Sequence, residues 1–155
     1  MSIHIHAIGD KLPKWIDIGI AEYLRRIASG FTIHMHSYPT PKRQKNNLNI
    51  DKLKEKEHAM LTSAIKTHSH FIVLDEKGKS FSTDQLTHYL APHLKGDLHF
   101  ALGGPDGHAQ ATKHRANLCL SLSPCTLTHA MARLVLVEQI YRAITITQNH
   151  PYHRP

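Results

Sequence analysis

Leu98-His99-Phe100-Ala101-Leu102-Gly103-Gly104-Pro105-Asp106-Gly107 is the stretch that decides the fold. Its first five residues form a short, nearly unbroken apolar run, the pattern of a strand covered on both faces rather than half-solvated. The run then breaks into paired glycines, where the chain leaves the strand for a loop. His70-Phe71-Ile72-Val73-Leu74 has the same character and ends in a charged segment, Asp75 to Lys79, that reads as a turn. Strands of this interior type belong to parallel sheets, and such sheets need helices on both faces.

The flanking chain supplies those helices. Ser82-Thr83-Asp84-Gln85 is a capping box that opens a helix running to about Leu94. Another helix spans about Leu12 to Ile27, with Pro13 in its first turn and Trp15, Ile16, Ile20, Tyr23, Leu24 and Ile27 facing inward. A third runs from about Ile50 to Lys66, with Leu53, Ala59, Met60, Ala64 and Ile65 as a narrow buried stripe. A short helix covers Ala109 to Ala116. Ser2 to Ile8 and Phe31 to Tyr38 alternate apolar and polar residues, as half-buried strands do, and Leu118 to Leu122 makes a fifth strand. The last helix begins near His129 and is apolar over most of its surface, so it must be covered on more than one side. The reading is one α/β domain over 1–155, with a mostly parallel sheet and helices on both faces.

Composition narrows the function. Nineteen Lys and Arg against 12 Asp and Glu give a net charge of +7 before any of the 15 histidines is protonated, and the sequence pI is about 9.5. That balance favours a polyanionic partner. No run approaches the ~18 apolar residues that signal a membrane span. Met1 to His6 lacks the basic and apolar regions of a secretion signal, so a cytoplasmic protein is expected. Cys119 and Cys125 match no zinc or redox spacing and read as reduced thiols. Lys42-Arg43-Gln44-Lys45, between Pro39 and Asn47, is either a solvated loop or a phosphate-contacting arm.

In open parallel sheets ligands bind where loops leave the carboxyl ends of strands. The loops after Leu74, at Gly103-Gly104 and from Ser121 to Leu127 qualify. Taken alone, the paired glycines are a turn; they lack the dinucleotide fingerprint, and no phosphate loop is present, which argues against nucleotide hydrolysis. Ser121, Ser123 and Thr126 lie near His129 but form no nucleophile elbow. Glu138 and Arg142, one helical turn apart, read first as an ion pair. The pairs His4/His6, His34/His36 and His68/His70 have metal-like spacing without an accompanying acid or cysteine ligand, so they read as the polar sides of strands and no metal is expected.

Leu74-Asp75, the glycine loop, Leu120-Ser121-Leu122-Ser123, the helix Arg133 to Ala143 and Asn149-His150-Pro151-Tyr152-His153-Arg154 together resemble the RlmH family of SPOUT-class methyltransferases. The resemblance covers the whole chain, including Glu22-Tyr23-Leu24-Arg25-Arg26. It implies a SPOUT-type fold with a C-terminal trefoil knot, a homodimer, and S-adenosyl-L-methionine as methyl donor for N3 of a pseudouridine in 23S rRNA, with the assembled 70S ribosome as the expected substrate. It implies cofactor contacts from Leu74, Gly103, Gly104, Leu122, Ser123, Pro124, Cys125, Thr126 and Leu127. It also implies a catalytic group of Glu138, Arg142, Tyr152, His153 and Arg154, in a site shared between subunits. Two other readings stay open: a catalytically silent RNA-binding protein, and a metal protein built on the His-x-His pairs.

Overall fold

The computed structural model describes residues 1–27, 29–43 and 49–149. Ten elements alternate along the chain: β1 (Ser2–Ile8), α1 (Lys14–Arg26), β2 (Thr32–Tyr38), α2 (Ile50–Thr62), β3 (His70–Ser80), α3 (Thr83–Leu90), β4 (Asp97–Leu102), α4 (Gln110–Arg115), β5 (Leu118–Ser121) and α5 (His129–Thr147). The strands form one sheet in the order β2-β1-β4-β3-β5, and every pairing is parallel.

Alternation along the strands sorts the core into two layers. Ile3, Ile5, Ile72, Leu98, Phe100 and Leu120 join residues of α1, α3 and α5 on one face. Phe71, Val73 and Ala101 join Leu61 and Ile65 on the other. The capping box forms as read: Gln85 N–H donates to Ser82 Oγ (3.2 Å), and Ser82 N–H donates to Gln85 Oε1 (2.9 Å). Asn149, with φ of 54°, follows α5 in the left-handed conformation that commonly ends helices.

Three expectations change. Asp75 to Lys79 is not a turn between elements, because β3 continues to Ser80: Leu74 and Lys79 both oppose Leu120, and the residues between them leave the ladder as an irregularity. Gly78 permits this, since a Cβ there would lie 2.6 Å from the Cys119 carbonyl oxygen. Trp15 faces solvent, 60% exposed like Ile18, because the inward stripe of α1 falls on Ile16 and Ile20. The buried stripe of α2 is Leu53, Glu57 and Leu61, four residues apart, which places an acid in it.

The histidines take the sheet positions alternate to the apolar ones. His4, His6, His34, His36 and His99 lie as near-parallel rings, with centroids 4.7 Å apart for His4–His34 and His4–His99 and 4.6 Å for His6–His36. Contrary to the expectation from spacing, an acid accompanies them: Asp97 Oδ1 lies 3.0 Å from His99 Nε2 and 3.8 Å from His4 Nε2. His68 lies outside the strands, so the His68/His70 pair shares no strand face.

Burial, with the neighbouring imidazoles, pulls His6 down to about 3, and burial pulls His108 to about 4. Both stay neutral in the folded chain at pH values where the unfolded chain protonates them. Their contribution is therefore complete above the ordinary histidine value near 6.5 and is lost as pH falls below it. Urea unfolding in EDTA-containing buffer should show stability falling between pH 7.5 and 5, with a limiting slope of about 1.4 kcal/mol per pH unit for each histidine. A flat profile would mean that both titrate alike in the two states.

Candidate active site

The chain's own strand order brings three loops together. β3, β4 and β5 end beside one another, and the segments leaving them enclose a cleft of about 540 Å³. Leu74, Gly103, Gly104, Leu122, Ser123, Cys125, Thr126 and Leu127 line it, whereas Pro124 is not among the lining residues. Leu102, Leu120 and Ala132 complete an apolar wall, while Lys54, Asp75, Lys113, His108 and His129 add polar edges.

The glycine loop is held from behind. Glu57, 4% exposed on α2, accepts the Gly104 N–H at Oε2 (3.1 Å). A Cβ on Gly104 would sit well inside van der Waals contact of Glu57 Oε1. His108 Nε2 accepts the Gly103 N–H at 3.1 Å, and a Cβ on Gly103 would meet the His108 ring at 3.1 Å. A side chain at either glycine would have to displace the buried group packed behind it. Burial raises the Glu57 carboxyl, and the Gly104 N–H opposes that shift. Arg43 pairs with Asp106, so the basic segment after Pro41 is tied at Arg43 to the rim of the cleft. Gln44 and Lys45 lie outside the described residues.

The opposite wall is shaped by local hydrogen bonds. Ser121 Oγ donates to the Ser123 carbonyl (3.1 Å), and Cys125 N–H donates to Ser123 Oγ (2.9 Å). Thr128 then caps α5 by accepting from Met131 N–H at 3.3 Å. These hydroxyls serve the backbone, so neither Ser121 nor Ser123 is paired with a base. Burial would raise Asp75, but the Lys113 ammonium and the Lys77 N–H outweigh it and hold the carboxylate low. Burial lowers His129, helped by Arg133. Backbone at Leu74 and Ala101 faces the His108 ring, and backbone at Gly103 and Leu102 faces that of His129, which ties both imidazoles to the strand exits.

Glu138 and Arg142 form the ion pair read from their spacing, with bonds of 2.9 and 2.5 Å to Glu138 Oε1. Glu138 Oε2 accepts from Gln139 Nε2 (2.6 Å), and Gln139 Oε1 accepts from Thr83 on α3 (3.1 Å). Neither Glu138 nor Arg142 lines the cleft. Tyr152, His153 and Arg154 lie outside the described residues. Sequence reading missed Glu57 and His108. The first had a signal in the Leu53-Glu57-Leu61 spacing, and the second directly follows the glycine loop.

A parallel α/β sheet with a glycine-bounded cleft at its carboxyl end is an architecture for holding a small cofactor. The family model described as "Predicted SPOUT methyltransferase" matches residues 1–153. The chain is 39% identical to Ribosomal RNA large subunit methyltransferase H of Thioalkalivibrio sulfidiphilus and 40% identical to the protein of that name from Hahella chejuensis, with 99% of each chain covered in both comparisons. The SpoU methyltransferase AviRb of Streptomyces viridochromogenes aligns with 96% of this chain and 61% of its own, at 12% identity and a TM-score of 0.47. The chain belongs to the SPOUT methyltransferases and, within them, to the ribosomal RNA large subunit methyltransferase H family. No helix among the described residues is long and apolar enough to cross a membrane.

Gly104→Ala should destabilise the fold by about 1–3 kcal/mol, as overpacking does. Glu57→Ala should relieve part of that cost, so urea unfolding of both single variants and the double variant should be non-additive. Additive losses would show that Glu57 does not set the glycine requirement.

Proposed function

We propose that this chain transfers a methyl group from S-adenosyl-L-methionine to N3 of a pseudouridine in 23S rRNA, acting in the cytoplasm on the assembled ribosome. The observation that carries the proposal is the cleft, where the three loops singled out for cofactor contact converge on one space. Its volume falls within the roughly 300–1,000 Å³ of small-molecule sites. Its chemistry suits the cofactor as well: leucines for the adenine faces, and backbone groups of Gly103 and Leu122 to Leu127 for the polar edges. When bound, S-adenosyl-L-methionine supplies an electrophilic methyl on a sulfonium.

The chain's own residues must do the rest. Pseudouridine N3 carries a proton and is a poor nucleophile until it leaves, so the site must stabilise the resulting anion and hold the base in line. Arg142 and Arg154 supply positive charge, and Tyr152 supplies a stacking surface. Both oxygens of Glu138 are engaged, by Arg142 and by Gln139, so Glu138 orients Arg142 and His153 takes the proton.

The proposed enzyme is a homodimer of single-domain subunits, in which the cleft of one subunit meets the 149–155 tail of the other. Exposed Trp15 and Ile18 on α1, together with Leu134 and Val135 on α5, which remain only partly covered, support a second copy packing on this side. The family's knotted C-terminus is part of the same reading. The charge of +7 supports an RNA partner.

A chain truncated after Gln148 should bind S-adenosyl-L-methionine by calorimetry as the full chain does. It should lose methyl transfer to ribosomes lacking the modification. Unchanged transfer would remove the tail from the mechanism. Failure of the full-length, folded dimer to bind the cofactor would favour a silent RNA-binding protein.

A further inference from the structure

Asp97, His99 and His4 lie at the amino-end side of the histidine layer, away from the cleft. Asp97 opens β4, and His4 pairs directly with His99. Buried imidazoles are an expensive way to fill a sheet face: His6 is 0% and His99 3% exposed, in positions where aliphatic residues would pack without desolvating a polar ring. A local rule broken this thoroughly points to a function.

Hydrogen bonds give each ring an orientation. His99 Nδ1 meets His6 Nε2 at 2.9 Å, and His6 Nδ1 meets Tyr38 Oη at 2.9 Å. His4 Nδ1 meets His36 Nε2 at 3.0 Å. Ser69 Oγ donates to Asp97 Oδ2 at 2.6 Å. One ligand atom from each of His4, His99 and Asp97 lies within 4.8 Å of the others, the two imidazoles stacking 12° from parallel with each Nε2 near Asp97 Oδ1. A proton on His99 Nδ1, donated to His6, leaves a lone pair on Nε2 aimed towards the carboxylate. His99 Nε2 is buried and lies 3.0 Å from Asp97 Oδ1, so in one tautomer it donates to the carboxylate and in the other it offers the lone pair of a metal ligand.

We propose that His4 Nε2, His99 Nε2 and Asp97 Oδ1 bind one Zn²⁺ per chain. Four ligands at 2.0–2.2 Å around a tetrahedral zinc lie ~3.3 Å apart, between the 3.0 and 3.8 Å separations present here. Two imidazole nitrogens and one carboxylate suit zinc better than the all-oxygen cations or the thiolate-seeking Cu⁺. His36, His6 and Ser69 are the outer partners that fix ligand orientation, as such sites require. The His4 and Asp97 side chains are 23% and 36% exposed, which gives the ion a path in and leaves the fourth position to water. The ion ties β1 to β4 and takes no part in methyl transfer.

The test uses full-length, untagged protein stripped with EDTA and titrated with Zn²⁺ against a chelating fluorophore. One equivalent per chain should bind with micromolar affinity or better. Asp97→Asn and His4→Gln should weaken binding at least ~10-fold, as should the outer-partner change His36→Gln, while exposed His68→Gln should not. Loaded with Co²⁺ instead, the wild-type chain should show the intense visible bands of a four-coordinate ion, and Asp97→Asn should lose them. His4 and Asp97 are partly exposed, so their variants carry the test even if His99→Gln does not fold, with circular dichroism confirming each fold. Absence of a saturable equivalent, or affinity indifferent to Asp97→Asn and His4→Gln, overturns the site.

Discussion

Arg133 is the interaction on which the remaining architecture hangs. Its side chain is 1% exposed and donates to the Ile8 carbonyl (2.9 Å), the Gly9 carbonyl and Ser37 Oγ (3.2 Å). No carboxylate pairs with it directly; the dipoles of a strand end hold a cation that burial would otherwise make very costly. Burial lowers its pKa, and Asp17 and Asp10 offset part of that shift. The arrangement seats the start of α5 against the carboxyl ends of β1 and β2, and the Thr128 cap delivers the 121–127 loop to the cleft. An apolar residue at 133 would leave those carbonyls unsatisfied and the helix free to slide.

The sheet therefore has two chemically different ends. At the carboxyl end, Arg133, Glu57 and His108 sit behind the loops and hold their backbone in place. At the amino end, imidazoles stack between β2, β1 and β4. The histidine layer reaches along β2 as far as Tyr38 and along β1 as far as His6, two residues short of the Ile8 carbonyl that Arg133 holds.

Much of the architecture was legible because it is local. The apolar runs in β3 and β4, the Ser82 capping box and the alternation in β1 and β2 each declare themselves within ten residues. The cleft followed from them, since parallel strands place their exits side by side. What stayed hidden depends on distant partners. Asp97 joins His4 across 93 residues of chain, so spacing alone made the histidines look ligand-poor. Trp15 fits a helical apolar stripe as well as Ile16 does, and only the position of the sheet distinguishes them. The charges from Asp75 to Lys77 have turn composition, yet Leu120 holds both Leu74 and Lys79 in one strand. Arg133, inside an apolar helix, carries no local mark of the carbonyls it serves.

The Arg133 contacts also set an order of events during synthesis. The carbonyl of Ile8 emerges 125 residues before its donor, and β1 can pair with β2 long before β4 arrives to cover its other edge. The nascent chain must carry an open edge and an unsatisfied strand end until β4 and then Arg133 have been made. Because those pairings are long-range, their closure is slow and comes late. Completion of the fold thus waits for α5, and a chain terminated before it lacks the helix that anchors the sheet.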